Sequence, residues 1–160
     1  MTPNQFSQTL KQHATAINQL MSRTLPVKAG AIAKAHFQEN FRLGGFVDNG
    51  FHKWTPAKRL NPKPIKNKKS KTKTPPAANR YGTLLSGRNH LFDSINYRPE
   101  QGSVTIYNDV EYAAVHNEGL RAGRGKGFIM PKRRFMGESK ELSQKITNLI
   151  DTELRNILNS

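Results

Sequence analysis

The sequence predicts an α+β fold with four parts: an N-terminal helical hairpin, a small antiparallel sheet, a long C-terminal helix and a long basic, disordered loop. Three observations carry the prediction. Apolar residues recur at helical spacing before Gly44–Gly45 and again between Glu138 and Leu158. Two short β-type segments flank a turn at Pro99–Gly102. Between these regions, Pro56, Pro62, Pro64, Pro75 and Pro76 alternate with lysines, a pattern that denies helix and strand alike.

Taken in order, residues 1–45 hold the hairpin. Pro3 suits a first helical turn, and Phe6, Leu10, Ile17 and Leu20/Met21 form one stripe. Thr24 is placed to cap a second helix with Pro26 near its start. Val27, Ala31, Ala35 and Phe41, joined by Ile32 and Phe37, define its expected buried face. Residues 46–80 read as the basic Pro/Lys-rich loop, with Phe46, Val47, Phe51 and Trp54 tucked back onto the body. Within it, Lys63–Lys73 is low in complexity and is expected to be disordered. Residues 81–137 form a β-rich core. One strand is expected near Leu91–Tyr97 and another at Val104–Tyr107, followed by a short helix or turn over Glu111–Asn117 and a flexible Gly119–Gly127 loop. Residues 138–160 form the clearest helix, with stripe residues Leu142, Ile146, Leu149/Ile150 and Leu154 and a candidate cap at Ser139. The length suits one domain built from these four regions.

Composition narrows the function classes. Hydrophobic residues make up 35% of the chain, so the core is small. With no cysteine there are no disulfides or thiolate metal sites. No apolar run reaches the ~20 residues of a membrane span, and the N-terminus lacks the order of a signal peptide. A protein kept in the cytoplasm is the expectation. The net charge of +15 is concentrated. Ten Lys/Arg lie between Lys53 and Arg80 and six between Gly119 and Gly137, with no acid in either stretch. A near-neutral body bearing two basic segments points to a polyanion or an acidic partner surface. The candidate DNA or partner contacts are Lys63, Lys66, Lys68, Lys69, Lys71, Lys73, Arg121, Arg124 and Lys126. Few aromatics interleave with them, so stacking on single strands is not supported, and with no obvious recognition-helix motif any DNA binding is expected to be sequence-blind and salt-sensitive.

Catalytic signals are weak. His116 and Glu118 invite a nuclease reading, yet no second histidine or metal carboxylate stands at a matching spacing. Gly123–Arg124–Gly125–Lys126–Gly127 lacks the P-loop pattern. No carboxylate pair is spaced for acid–base work. No catalytic residue, metal or cofactor is expected.

An ordered set of short motifs carries more. Trp54 and Pro56 come first, then Leu85–Ser86–Gly87–Arg88 leading to Leu91 and Ser94–Ile95. Tyr112–Ala113–Ala114–Val115–His116–Asn117–Glu118–Gly119 follows, and then Met130–Pro131–Lys132–Arg133–Arg134–Phe135–Met136–Gly137–Glu138–Ser139. In this order and spacing the chain resembles the phage virion morphogenesis family, the tail-completion and head–tail joining proteins of Mu-like phages and prophages. The resemblance runs from Trp54 to the C-terminus. It departs from the family pattern in its large basic insert and in Lys132–Arg133–Arg134, where one arginine is usual.

The resemblance implies a structural, non-enzymatic protein of the phage neck or tail. It would be made in the host cytoplasm and would act in the virion as an oligomeric ring beside other neck or tail proteins. Trp54, Gly87, Tyr112, His116, Gly119, Pro131, Arg134, Phe135 and Gly137 would then hold the structure together, and the Gly/Arg loop would reach a neighbouring subunit or DNA. The competing readings are a sequence-non-specific DNA-binding protein and, more remotely, a small nuclease.

Overall fold

The computed structural model describes residues 2–60 and 81–159. The Lys63–Lys73 expectation therefore falls outside the described residues. The predicted architecture is present, with N-terminal helices, small two-stranded sheets and a C-terminal helix. The elements group into two compact units. The first comprises the described residues of Met1–His36, Asn96–Tyr107 and Ser139–Ser160. The second comprises those of Phe37–Ile95 and Asn108–Glu138.

In the first unit, α1 (Pro3–Gln19) starts in a capping box: Gln5 N–H donates to Thr2 Oγ1, and Thr2 N–H donates to Gln5 Oε1. The link to α2 (Leu25–Leu43) is not a loop but a π-helical segment, Leu20–Thr24, with Leu25 N–H bonded to the Leu20 carbonyl. Thr24 lies inside that segment rather than at the start of a helix. Proline explains the shift: Pro26 has no N–H to offer the Ser22 carbonyl, which accepts instead from Gly102 N–H at 3.3 Å.

The buried face of α2 also differs from expectation. Leu25, Ala29, Ala33, Phe37 and Phe41 form an i, i+4 ladder, whereas Val27, Ala31 and Ala35 face out. His36 and Asn40 share the inner face, and their polarity hid it in the sequence. Gly30 lies against the ring of Tyr97, where any side chain would collide.

Strands β3 (Ile95–Glu100) and β4 (Ser103–Asn108) form a hairpin whose turn rests on Gly102 at φ 75°. Pro99 lies within β3 rather than in the turn. Leu91, expected in the strand, belongs to a short helix α3 (His90–Asp93). Ser86 and Asn89 set up that helix by exchanging side-chain-to-backbone bonds, with Asn89 in the left-handed region. Helix α5 (Lys140–Leu158) begins at Ser139, whose hydroxyl accepts from Leu142 N–H at 3.1 Å, as predicted.

The second unit centres on Phe41, which is fully buried. Trp54, Phe92 and Phe135 pack around it, with ring centroids 5.6, 6.0 and 5.0 Å away. Two stretches expected to be irregular are hairpins. In the first, β1 (Gly45–Val47) pairs with β2 (Phe51–Lys53) across Asp48–Asn49–Gly50. Asn49 and Gly50 both take positive φ, 54° and 110°, which an Asn-Gly turn permits. Phe46 and Trp54 are buried as expected, but Phe51 is exposed. In the second, β5 (Arg121–Ala122) pairs with β6 (Phe128–Ile129) across the glycine-rich segment. Between the two hairpins, α4 (Ala113–Glu118) resolves the expected short helix or turn as a helix and ends at Gly119 in the left-handed region.

Candidate functional site

The motif residues converge in the second unit around α4 and the extended segment 130–137. The chain leaves α4 through Gly119 at φ 72°, where an added Cβ would lie 2.9 Å from Lys132 Cβ. Only glycine allows both the left-handed turn and that approach. Asn117 then joins the two strips. Its Oδ1 accepts from Phe135 N–H at 2.9 Å and from Met136 N–H at 3.0 Å, while Nδ2 donates to the Met136 carbonyl at 3.2 Å. Arg133 N–H donates to the His116 carbonyl at 2.8 Å. One side-chain amide thus satisfies backbone groups that have no sheet partner.

Three more side chains complete the knot. Trp54 Nε1 donates to the Arg134 carbonyl at 2.8 Å. Asn40, fully buried, donates to the Phe135 carbonyl at 3.1 Å and accepts from Val47 N–H at 3.2 Å. Arg133 is buried, and its Nε donates to the Thr55 carbonyl at 2.8 Å. Arg59 plays a similar part nearby, donating to the carbonyls of Gly82 at 2.6 Å and Leu85 at 2.8 Å. Burial, and then the neighbouring Arg59 charge, push the Arg133 guanidinium below the usual arginine range.

Of the motif residues named from the sequence, Trp54, Tyr112, His116, Gly119, Arg134, Phe135 and Gly137 sit in or beside this knot. Arg134 lies over the Phe46 ring at 4.7 Å, and Gly137, at φ 149°, leaves room for the Arg134 guanidinium. Tyr112 meets the His116 ring edge-on at 5.9 Å. Pro131 is exposed. Gly87 lies apart, next to Tyr81. Sequence reasoning missed Asn40, Arg59 and Arg133 and gave Asn117 no role. A buried asparagine or arginine leaves no periodic signal, although the doubled arginine at 133–134 was a clue.

His116 Nδ1 is buried and has no hydrogen-bond partner among the described residues. Desolvation, and then the Arg133 charge, lower the imidazole below the ordinary histidine value. Glu118 is bonded to other side chains. Its carboxylate accepts from Lys132 Nζ at 3.0 Å and from Asn117 Nδ2 at 2.6 Å, and these bonds hold it below the usual carboxylate range. A cleft of about 190 Å³ lies beside Leu84, Ser86, His90, Tyr112 and His116, and none of its described lining residues is a carboxylate. Of the two groups of the nuclease reading, Glu118 is bonded to Lys132 and Asn117, and the His116 ring packs edge-on against Tyr112.

The second basic stretch divides in two. Arg133, Arg134 and Lys132 are committed to carbonyls, to a ring and to Glu118. Arg121, Arg124 and Lys126 stay exposed on the β5–β6 hairpin, where Arg121 Nη1 also donates to the Lys126 carbonyl at 2.7 Å. Leu120, Phe128 and Ile129 are exposed beside them. Lys63, Lys66, Lys68, Lys69, Lys71 and Lys73 lie outside the described residues.

The knot is made almost wholly from segments that one family profile spans. The profile described as the phage virion morphogenesis family matches residues 52–155. No curated protein and no solved structure matches the chain. The match covers well over half of the sequence, from just before Trp54 to the last turns of α5, and the chain belongs to the phage virion morphogenesis family.

Proposed function

We propose that the protein is a structural component of the phage neck or tail that completes the tail or joins it to the filled head as part of an oligomer. The family match over residues 52–155 carries this reading. The motif residues support it, because they serve as hydrogen-bonding and packing groups around α4 rather than as reactive groups facing a substrate. The β5–β6 hairpin supplies the contact surface: Arg121, Arg124 and Lys126 give it charge, and Phe128 and Ile129 give it apolar area. Its partners are other neck or tail proteins, met during assembly in the host cytoplasm and retained in the virion. Lys63, Lys66, Lys68, Lys69, Lys71 and Lys73 add a second basic contact.

Mass spectrometry of purified virions is the direct test. The expected result is the protein at a few stoichiometric copies. An in-frame deletion should leave heads and tails made but unjoined, or tails of defective length, in electron micrographs. Normal infectious particles from the deletion strain would end the proposal.

The exposed cations on β5–β6 also favour a second reading, a sequence-blind contact with DNA. Duplex binding that weakens steeply with salt, and less steeply after Arg121, Arg124 and Lys126 are changed to serine, would support it.

A further inference from the structure

We propose that Arg59 and Arg133 form a binding site for a small inorganic oxyanion, phosphate or sulfate, in the second unit. The site goes beyond the structural role above and stands on side chains that the proposed contact surface does not use.

The two guanidinium groups meet on one short strip of chain. Arg133 reaches it from the segment after α4 and donates to the carbonyls of Thr55 and Pro56 at 2.8 and 3.4 Å. Arg59 grows from the same strip, in the helical turn Lys58–Leu60, where Leu60 N–H donates to the Ala57 carbonyl at 2.8 Å. Arg133 is 5% exposed, and the Arg59 charge is near enough to oppose its own. Two like charges held together partly out of water favour a counter-charge between them.

The chain supplies no such charge among the described residues, where neither arginine forms an ion pair. The undescribed segment 61–80 is no alternative source, because it contains no Asp or Glu. Arg59 lies in one acid-free stretch of the sequence and Arg133 in the other. Carbonyls satisfy hydrogen bonds but carry no net charge, so the pair stays uncompensated.

Donors also remain. Arg59 spends one nitrogen on three carbonyls: Nη2 donates to Gly82 at 2.6 Å, to Leu85 at 2.8 Å and to Thr83 at 3.4 Å. Its Nη1 is buried and has no hydrogen-bond partner among the described residues. Arg133 Nη1 meets a weak acceptor, the Met130 sulfur at 3.8 Å. A tetrahedral oxyanion offers an oxygen to each Nη1 and brings the negative charge that carbonyls lack. A buried water would meet Arg59 Nη1 but leave both charges standing. The burial of Arg133 selects a small ion over a DNA backbone, whose phosphates arrive on a bulky chain. The ten Lys/Arg between Lys53 and Arg80 raise the local concentration of any anion.

The test is inorganic phosphate, titrated into the full chain at constant ionic strength against chloride. Calorimetry should show one phosphate bound saturably per chain, with sulfate competing and chloride not. Arg59→Gln should weaken that binding about tenfold or more and remove the saturable rise in the thermal midpoint. The variant with Arg121, Arg124 and Lys126 changed to serine should bind as the parent does. The general stabilisation that phosphate gives any protein does not saturate, and it persists in Arg59→Gln.

A crystal of the parent chain grown in phosphate should hold tetrahedral density within hydrogen-bond distance of Arg59 Nη1 and Arg133 Nη1. That observation decides the matter even where Arg59→Gln fails to fold. Equal binding by the parent and Arg59→Gln, a response that never saturates, or a water at that position in the crystal would overturn the site. So would density in the crystal without saturable binding in solution, which marks an adventitious ion only.

Discussion

Asn117 and His116 are neighbours in sequence with different physical tasks. The Asn117 amide satisfies two N–H groups and one carbonyl of the 135–136 segment. Asn117→Ala leaves them without protein partners and is expected to cost about 2–3 kcal/mol, read from urea unfolding. His116 is held neutral by burial and by Arg133, so its folded pKa lies below the ordinary 6.5. Above that value its contribution is fully present. As pH falls below it the unfolded chain takes the proton first, and stability is lost until the folded pKa is passed. Thermal unfolding midpoints should therefore drop between about pH 7.5 and 5.5, and His116→Asn should shrink that drop. Equal pH dependence in the two proteins would remove His116 from the account. The knot was partly legible: Trp54, Gly119, Phe135 and Gly137 stood out in the motifs. Asn40 and Arg133 did not, because each is buried by contacts with segments distant in sequence.

Among the elements, α5 is the one whose local signals and structure agree most closely. Helix α5 has a stripe, an N-cap hydroxyl and no interrupting proline, all within twenty residues. Ser139→Ala should cost about 1 kcal/mol and speed amide exchange first in the opening turn of α5. The β1–β2 hairpin was also announced locally, by Asn49–Gly50, but the prolines and lysines that follow drew the reading toward a loop. The joint between α1 and α2 was not legible in the same way. A proline two residues into a helix commonly marks its start, and here the chain stayed helical through a π-segment. That outcome depends on the Gly102 N–H, supplied by a hairpin nearly eighty residues downstream, as partner for the Ser22 carbonyl.

At the scale of the whole molecule, charge is the feature that counting misjudges. Six cations between Gly119 and Gly137 looked equivalent in sequence. Arg133 and Arg134 serve the fold, Lys132 pairs with Glu118 at the surface, and Arg121, Arg124 and Lys126 are exposed on the β5–β6 hairpin. The variant with Arg121, Arg124 and Lys126 all changed to serine should stay within about 0.5 kcal/mol of the parent. Arg133→Ala should lose about 2–3 kcal/mol, since the charged bonds of a buried guanidinium to the Thr55 and Pro56 carbonyls are lost. Similar losses in both variants would mean that the cations are not divided between fold and surface. The division bears on function as well, because only cations free of the fold can meet a partner.

The sequence by itself determined the helical and strand segments with strong periodicity, the α+β class, the concentration of charge and the family. Each is set by residues close together or by their order along the chain. The tertiary structure decided the inner face of α2, the π-helical joint, the use of Arg59, Arg133, Asn40 and Asn117 as backbone partners, and the exposure of the α1 stripe. Those features depend on which carbonyls and rings arrive from remote segments. A polar side chain becomes a core residue only when its partners have been brought to it.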